Sequence, residues 1–191
     1  MSVPRVRSAA AERLGPWPVL VALTGLGLLL LRPIPLASGS AWTVLFVVYP
    51  ALAVASLLTP LRRSSEGEVL HPVVVLALGI AVVAASPLFS GPAPSRPFGA
   101  WSIPFLVAAA VAEEALFRRL IYGRLLAYGT AVAIAGSAVA FALVHLPAYG
   151  TSALPLDLGA GALLSWQRWA SGTWTVPAAT HTAANLLVVL R

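Results

Sequence analysis

The chain has 191 residues, of which 59% are hydrophobic and 9% are charged, and its mean hydropathy is +0.90. So few charged residues cannot cover the surface of a soluble domain, and the composition therefore excludes a protein whose main solvent is water. The net charge of +6 comes from twelve arginines scattered among apolar segments, which argues against a nucleic-acid-binding protein, because such proteins cluster their basic residues on one face.

Apolar stretches separated by proline, glycine, serine or arginine predict helices that span lipid, because a helix satisfies its own backbone hydrogen bonds there. We therefore predict an all-α fold, a polytopic membrane bundle of six to seven transmembrane helices. The candidate spans lie at about 17–36, 41–60, 70–89, 103–123, 129–147, 154–169 and 174–190. The sixth is short, rich in glycine and carries Asp157, so it is either a full span or a tilted or re-entrant helix.

The arginines near the ends of these spans predict the orientation of the bundle. With a cytoplasmic N-terminus, most arginines lie on the cytoplasmic side and only Arg32, Arg96 and Arg191 lie on the other, in agreement with the positive-inside rule. Residues 1–16 are then a cytoplasmic tail. The first span also has the basic start and small-residue end of a signal peptide, but the prolines after Arg32 favour an uncleaved anchor.

Two adjacent acids, Glu113 and Glu114, interrupt the fourth span. An ionised residue inside a bilayer costs on the order of 3 kcal/mol or more unless it faces a cavity or a partner. Glu114 and Arg118 are four residues apart, which predicts an ion pair on one helix face. Glu113 is rotated by about 100° and has no such local partner, so we expect it to be available for chemistry. Considered alone, the two acids are equally compatible with a role in helix packing.

Two later spans also carry polar residues among apolar ones. His145 ends the fifth span, and His181 and Asn185 project from one face of the seventh. Because three helices each contribute such residues, we expect Glu113, His145, His181 and Asn185 to surround one water-accessible cavity, with the Glu114–Arg118 pair beside it.

These residues leave the question of a metal open. Two histidines and a carboxylate match the ligand count of a catalytic zinc site, so Glu113, His145 and His181 are candidate ligands of a divalent metal such as zinc. They equally match a metal-free arrangement, in which a glutamate and a histidine activate water while the other polar groups stabilise the oxyanion. The chain has no cysteine and no HExxH motif, and we favour the metal-free arrangement.

The same residues resemble the motifs of the CPBP intramembrane peptidases (CAAX proteases and bacteriocin-processing enzymes), which include the type II CAAX prenyl endopeptidases and the bacterial Abi proteins. The family motifs EExxxR, FxxxH and HxxxN occur in order as Glu113-Glu114…Arg118, Phe141…His145 and His181…Asn185. The resemblance covers about residues 101–190. We therefore predict N-terminal transmembrane helices at 17–100 and a CPBP-like catalytic core at 101–191.

The resemblance implies a hydrolase, a CAAX-protease-like endopeptidase of the glutamic or metalloprotease type that cleaves membrane-associated proteins or peptides within the lipid bilayer. Glu113 would activate water together with His145, and His181 and Asn185 would stabilise the tetrahedral intermediate. Three residues would support them: Glu114, Arg118 and Phe141. An alternative from another class is a non-catalytic immunity or scaffold protein that retains the family fold, and a third is a proton-coupled transporter, for which no inverted repeat is present.

We expect two further polar residues to take no part in the chemistry. Asp157 follows Pro155 and is expected to be a helix N-cap rather than a further functional acid. His71, beside the charged segment 61–68, is expected to be inert. Abundant alanine and arginine with no lysine suggest a bacterial genome rich in GC, and hence a bacterial plasma membrane, where relatives of this kind process peptides or confer immunity to bacteriocins.

Overall fold

The computed structural model describes residues 16–61, 69–85 and 102–189, and this part of the chain forms seven helices and no strand. The predicted all-α bundle is confirmed. The helices are α1 (Trp17–Ala37, interrupted at Arg32), α2 (Ala41–Leu58), α3 (Pro72–Ala85), α4 (102–128, beginning with Ser102–Glu114), α5 (Thr130–Tyr149), α6 (Leu154–Ser171) and α7 (Thr175–Val189). The predicted tail at 1–16 and the end of the third predicted span lie almost entirely outside the described residues.

Three of the described helices are long and apolar enough to cross a membrane, namely α1, α2 and α5, with 21, 18 and 20 residues and hydropathies of 1.9 to 2.0. Their outer faces are apolar as well: Leu23, Leu58 and Leu143 are each more than half exposed. Such faces are stable against lipid and unfavourable in water. Helix α3 is apolar but only 14 residues long, and the count of six to seven spans stays a prediction.

Helix α4 lies at the centre of the bundle, where it contacts α1, α2, α5, α6 and α7. Its apolar residues Leu116, Phe117 and Leu120 are fully buried in the main apolar core. Because the surrounding helices separate α4 from lipid, its charged residues can pair with one another across helix interfaces. The position of α4 therefore removes the penalty that two acids would incur on a lipid-facing helix.

The middle of α4, Ala115–Ile121, is a π-helical segment directly after the two glutamates. A π-turn widens the helix and weakens its regular backbone bonding. Ser137 of α5 donates a hydrogen bond of 3.0 Å to the Phe117 carbonyl, so one backbone carbonyl of this segment has a partner on a neighbouring helix. Arg119 donates to the carbonyls of Ser56 and Thr59 and so caps the end of α2. Segments of this kind frequently occur at functional sites.

A second polar contact joins α3, α6 and α7. Gln167, which is fully buried, donates from Nε2 to the Val75 carbonyl at 3.0 Å and to Thr180 Oγ1 at 2.9 Å. A Cβ atom on Gly79 would lie 2.0 Å from this Nε2, so only glycine allows α3 to approach the amide so closely. These hydrogen bonds of Gln167 lie apart from the glutamates and hold α3 against α6 and α7.

Helix α6 begins at the predicted residue. It is continuous over Leu154–Ser171, and its glycines do not break it. The interpretation of Asp157 as an N-cap is wrong, because the helix begins three residues earlier with Ala153 in the capping position. Pro155 lies within the first turn, where its missing N–H leaves no bond unmade. Asp157 therefore occupies the first turn, where a carboxylate interacts favourably with the helix dipole.

Candidate active site

Four helices bring the polar residues of the bundle into one buried cluster. Helix α1 contributes Arg32, α4 contributes both glutamates and Arg118, and α5 and α7 contribute one histidine each. Glu113 and Glu114 are 2% and 0% exposed, and His145 and His181 are 6% and 9% exposed. The cluster is thus largely withdrawn from solvent, and its charges are compensated by one another.

Glu114 binds two partners through a single oxygen. Its Oε1 accepts a hydrogen bond of 3.0 Å from Arg118 Nη1 and one of 2.9 Å from His181 Nδ1. The ion pair predicted from the spacing on α4 is present. Because an ionised carboxylate only accepts, His181 Nδ1 carries a hydrogen and donates it to Glu114. Arg118 also donates a hydrogen bond of 3.1 Å from Nη2 to the Gly161 carbonyl.

Glu113 is also paired, although the sequence predicted that it would be available. Its Oε1 accepts a hydrogen bond from Arg32 Nη1, and its Oε2 lies 3.7 Å from His145 Nε2. The expectation is wrong because the partner comes from α1, 81 residues earlier. Arg32, which the arginine distribution places on the non-cytoplasmic side, is itself buried, with 6% of its surface exposed. The available signal was a single arginine ending an apolar span before two prolines.

The orientation of His145 is fixed from the opposite side of its ring. Nδ1 lies 2.8 Å from the Phe141 carbonyl one turn earlier on α5. A carbonyl oxygen only accepts, so Nδ1 carries a hydrogen, and in the neutral tautomer that this bond selects the lone pair of Nε2 faces Glu113. Two acceptors 3.7 Å apart are too distant for a direct hydrogen bond and have the spacing that one bridging water can serve.

Phe141 lies between the two halves of the cluster. Its ring centroid is 4.4 Å from that of His145 and 5.6 Å from that of His181. The guanidinium carbon of Arg118 lies 4.6 Å from the same ring, a cation–π distance. One aromatic side chain therefore contacts both histidines and the arginine that holds Glu114.

Asn185, the fourth predicted catalytic residue, is placed differently. Its Nδ2 donates a hydrogen bond of 3.2 Å to the carbonyl of Leu106, which lies seven residues before Glu113 on α4. The structure thus gathers both glutamates, both histidines and Arg118, and it places Asn185 one turn beyond His181 against the α4 backbone. His71 is exposed at the start of α3, where its Nδ1 accepts from the Val73 N–H.

Comparison with known protein families bears on the half of the chain that contains this cluster. Residues 95–187 match the family described as type II CAAX prenyl endopeptidase Rce1-like. The chain carries an Rce1-like domain. The resemblance found in the sequence motifs is confirmed, and the apolar helices and this domain together support an integral membrane protein. Neither the curated proteins nor the solved structures include a match to this chain.

The Rce1-like domain contains α4 to α7 and therefore both glutamates, both histidines, Arg118 and Phe141. Arg32 belongs to the N-terminal helices outside the matched residues. A buried pair thus joins the domain to the segment that precedes it, through Glu113.

The predicted metal ligands do not converge in this arrangement. Among the residues that the structure describes, no group of three or more histidine and acidic side chains is placed to hold a metal ion. His145 faces Glu113, whereas His181 bonds to Glu114. Each carboxylate also meets a guanidinium, whose positive charge opposes the approach of a divalent cation. As packed here, the cluster fits a metal poorly.

Two apolar cavities flank the cluster, and neither is lined by its glutamates or histidines. One, of about 430 Å³, lies between the ends of α1, α2 and α4 and is lined by Leu36, Ala41, Trp42, Leu45, Ser102, Phe105 and Leu106. The other, of about 500 Å³, lies between α4 and α7, with Val111 and Ala179 among its lining residues. The acids and histidines are instead packed directly against one another.

Proposed function

We propose that the protein is an intramembrane endopeptidase that hydrolyses peptide bonds of membrane-associated proteins or peptides with water activated by Glu113 and His145. The observation that carries the proposal is the approach of Glu113 Oε2 to His145 Nε2 at 3.7 Å, with the tautomer of His145 fixed by Phe141. A single water beside this pair would give one proton to each acceptor, which would leave the oxygen lone pairs free to attack.

In the first step, the water oxygen bonds to the carbonyl carbon of the peptide, and the electron pair of the C=O bond moves onto its oxygen. The proton released by the water passes to the pair formed by Glu113 and His145. General-base assistance of this kind contributes typically about 10²- to 10⁴-fold to the rate.

His181 is suited to stabilise the oxyanion. Glu114 accepts from its Nδ1 at 2.9 Å, so Nε2 is the ring nitrogen left to face the oxyanion, to which it would donate when it carries a hydrogen. Asn185, one turn further on α7, would add a second donor by exchanging the Leu106 carbonyl for the oxyanion. Glu114 and Arg118 act here as positioning residues.

In the second step, the tetrahedral intermediate collapses. The C=O bond reforms, the C–N bond breaks, and the departing nitrogen takes the proton held by Glu113 and His145. The products are a new carboxyl end and a new amine end, and the residues return to their starting state. These steps use only water and the side chains, as in the metal-free alternative.

The proposed substrate reaches the site from the bilayer, because apolar helices surround the cluster and the two cavities that adjoin α4 are apolar. A bacterial plasma membrane with the N-terminus in the cytoplasm is the setting that we propose from the arginine distribution. The competing non-catalytic immunity or scaffold function requires none of the proton transfers above.

The test is cleavage of a fluorogenic peptide library by the protein purified in nanodiscs, as wild type, Glu113→Gln and His181→Ala, each with and without a chelator. His71→Ala is the matched control, since this histidine is exposed and outside the cluster. We expect cleavage by wild type and His71→Ala, loss in the other two, and no effect of the chelator. Folded protein that cleaves no peptide in any form would favour the immunity or scaffold function instead.

A further inference from the structure

Glu113 and His145 are not equal acceptors for the proton of an attacking water. Glu113 accepts a hydrogen bond from Arg32 Nη1, and a carboxylate bonded to a guanidinium is a weaker base than a carboxylate without such a partner. His145 Nε2 faces the other oxygen of Glu113 at 3.7 Å. The proton is therefore better placed on His145, provided that a negative charge compensates the imidazolium that forms in this buried position.

Asp157 of α6 lies close to His145 because α5 and α6 form a tightly packed antiparallel hairpin. The two residues stand six positions before and six positions after Thr151, in the turn that joins these helices, so they reach similar depths in the bundle. The helices approach closely, since a Cβ atom on Gly161 would lie 2.9 Å from the Cα atom of Ala138. The hairpin thus brings an acid from the first turn of α6 to the histidine near the end of α5.

The charge of Asp157 acts on the reacting cluster. Asp157 interacts electrostatically with His145, Glu113 and Arg32, and His145 is the strongest of these partners. Within the part of the chain that the structure describes, its carboxylate accepts no hydrogen bond and forms no ion pair. An unpaired acid on a helix of a membrane bundle is costly, and such residues commonly mark functional sites.

Tyr149 covers the His145 ring at the end of α5. The two rings are stacked, with 5.7 Å between their centroids and 11° between their planes. An aromatic layer keeps water away from the imidazole, so a nearby charge acts on it more strongly than it would in bulk solvent. The influence of Asp157 on His145 is therefore less screened than that of an ordinary surface acid.

The charge of Asp157 compensates the proton that the cluster takes up. Arg32 and Glu113 already balance one another, and without a further acid a proton on His145 would leave one positive charge uncompensated in a buried site. With Asp157 ionised, the same proton completes the balance. The acid therefore favours the state that follows water activation.

We propose that Asp157 acts through His145 as a positioning residue of the reaction, in that its carboxylate favours transfer of the water proton to His145 Nε2 rather than to Glu113. This inference rests on the proposed function. One O–H bond of the water breaks, its proton bonds to Nε2, and the water oxygen keeps the electron pair and bonds to the carbonyl carbon. The electron pair of the C=O bond moves onto its oxygen. His145 later returns the proton to the departing nitrogen, and Asp157 neither gains nor loses a proton.

The first experiment compares two substitutions of Asp157 on one cleaved peptide in nanodiscs. Asp157→Asn removes the charge and keeps the shape, whereas Asp157→Glu keeps the charge. We expect kcat to fall about tenfold or more in Asp157→Asn with KM within about twofold of wild type, and Asp157→Glu to retain most of the activity. Full kcat in Asp157→Asn, or a change confined to KM, overturns the role of Asp157 and leaves the peptidase standing.

The second experiment separates an effect through His145 from a purely structural role in α6. In a His145→Gln background, Asp157→Asn should lower kcat no further, because no imidazole remains to be charged. Ala153→Asp, at the N-cap of α6, is added to Asp157→Asn as the matched control. It restores an acid to the helix end one turn away, and it should recover the unfolding midpoint without recovering kcat.

The outcomes distinguish this inference from the function on which it rests. An equal fold loss of kcat in both backgrounds, or recovery of kcat by Ala153→Asp, shows that Asp157 only supports the helix and overturns the inference. Wild-type cleavage in either case leaves the peptidase standing. Cleavage by no form of the folded protein overturns the proposed function, and the role of Asp157 with it.

Discussion

Arg118 provides the sharpest test of how the cluster is held together. It is fully buried, bonds to Glu114 at 3.0 Å and to the Gly161 carbonyl at 3.1 Å, and lies over the Phe141 ring. Arg118→Met removes the only guanidinium on Glu114 among the described contacts and leaves a carboxylate buried with His181 alone. Breaking a buried pair in this way costs about 3–5 kcal/mol of unfolding free energy.

The decisive quantity is the coupling between the two partners. Glu114→Gln removes the other charge, and the double variant Glu114→Gln/Arg118→Met leaves no unpaired ion, so it should be destabilised by less than the sum of the single variants. We expect a coupling energy of about 1–3 kcal/mol. The free energies of unfolding are measured by reversible unfolding in mixed detergent micelles. Arg124→Met is the control, because Arg124 is a half-buried arginine on the same helix. Its free energy of unfolding should lie within about 0.5 kcal/mol of the wild-type value. Additive effects of the two substitutions would refute the claim that the pair acts as a unit.

Three further changes follow from other contacts. Gly79→Ala should lower the unfolding free energy by about 1–3 kcal/mol, because its Cβ would lie 2.0 Å from Gln167 Nε2. Gly27→Ala, with nothing within 4 Å of its Cβ, should be neutral or stabilising in the same unfolding assay; equal loss in both would contradict the packing argument. Arg119→Met should cost about 1 kcal/mol, since it uncaps two carbonyls at the end of α2, and an unchanged unfolding midpoint would show that the cap contributes nothing. Phe141→Leu should lower kcat about tenfold or more with little change in KM, because both histidine rings lose their shared contact; a change confined to KM would assign Phe141 to substrate binding instead.

The parts of the site that sequence could predict are those fixed by local geometry. The pair of Glu114 and Arg118 follows from a four-residue spacing on one helix, and it is present at 3.0 Å. The depth of the glutamates within α4 follows from the apolar residues around them. The family of the C-terminal half follows from three motifs in order, each of which occupies a helix of its own.

The parts that sequence could not predict depend on contacts between distant segments. Nothing in the spacing of Arg32 indicates that it reaches Glu113, because the packing of α1 against α4 decides that contact. The division of the histidines, with His145 beside one glutamate and His181 bonded to the other, depends likewise on how α5 and α7 pack around α4. The role of Asp157 as an N-cap was wrong although the span was predicted to begin at 154, because a proline is accepted within the first turn of a helix as readily as before it.

The most direct test of the central claim is a kinetic cycle of Glu113→Gln, His145→Gln and the double variant on one cleaved peptide, with each protein shown to be folded. If both side chains act on a single water, either single change removes that activation, and the double variant should be no more than a few-fold slower than the slower single variant. Each single change should lower kcat by about 10²-fold or more. Effects that multiply in the double variant, or a single variant that retains full kcat, would contradict the proposed activation of one water by Glu113 and His145.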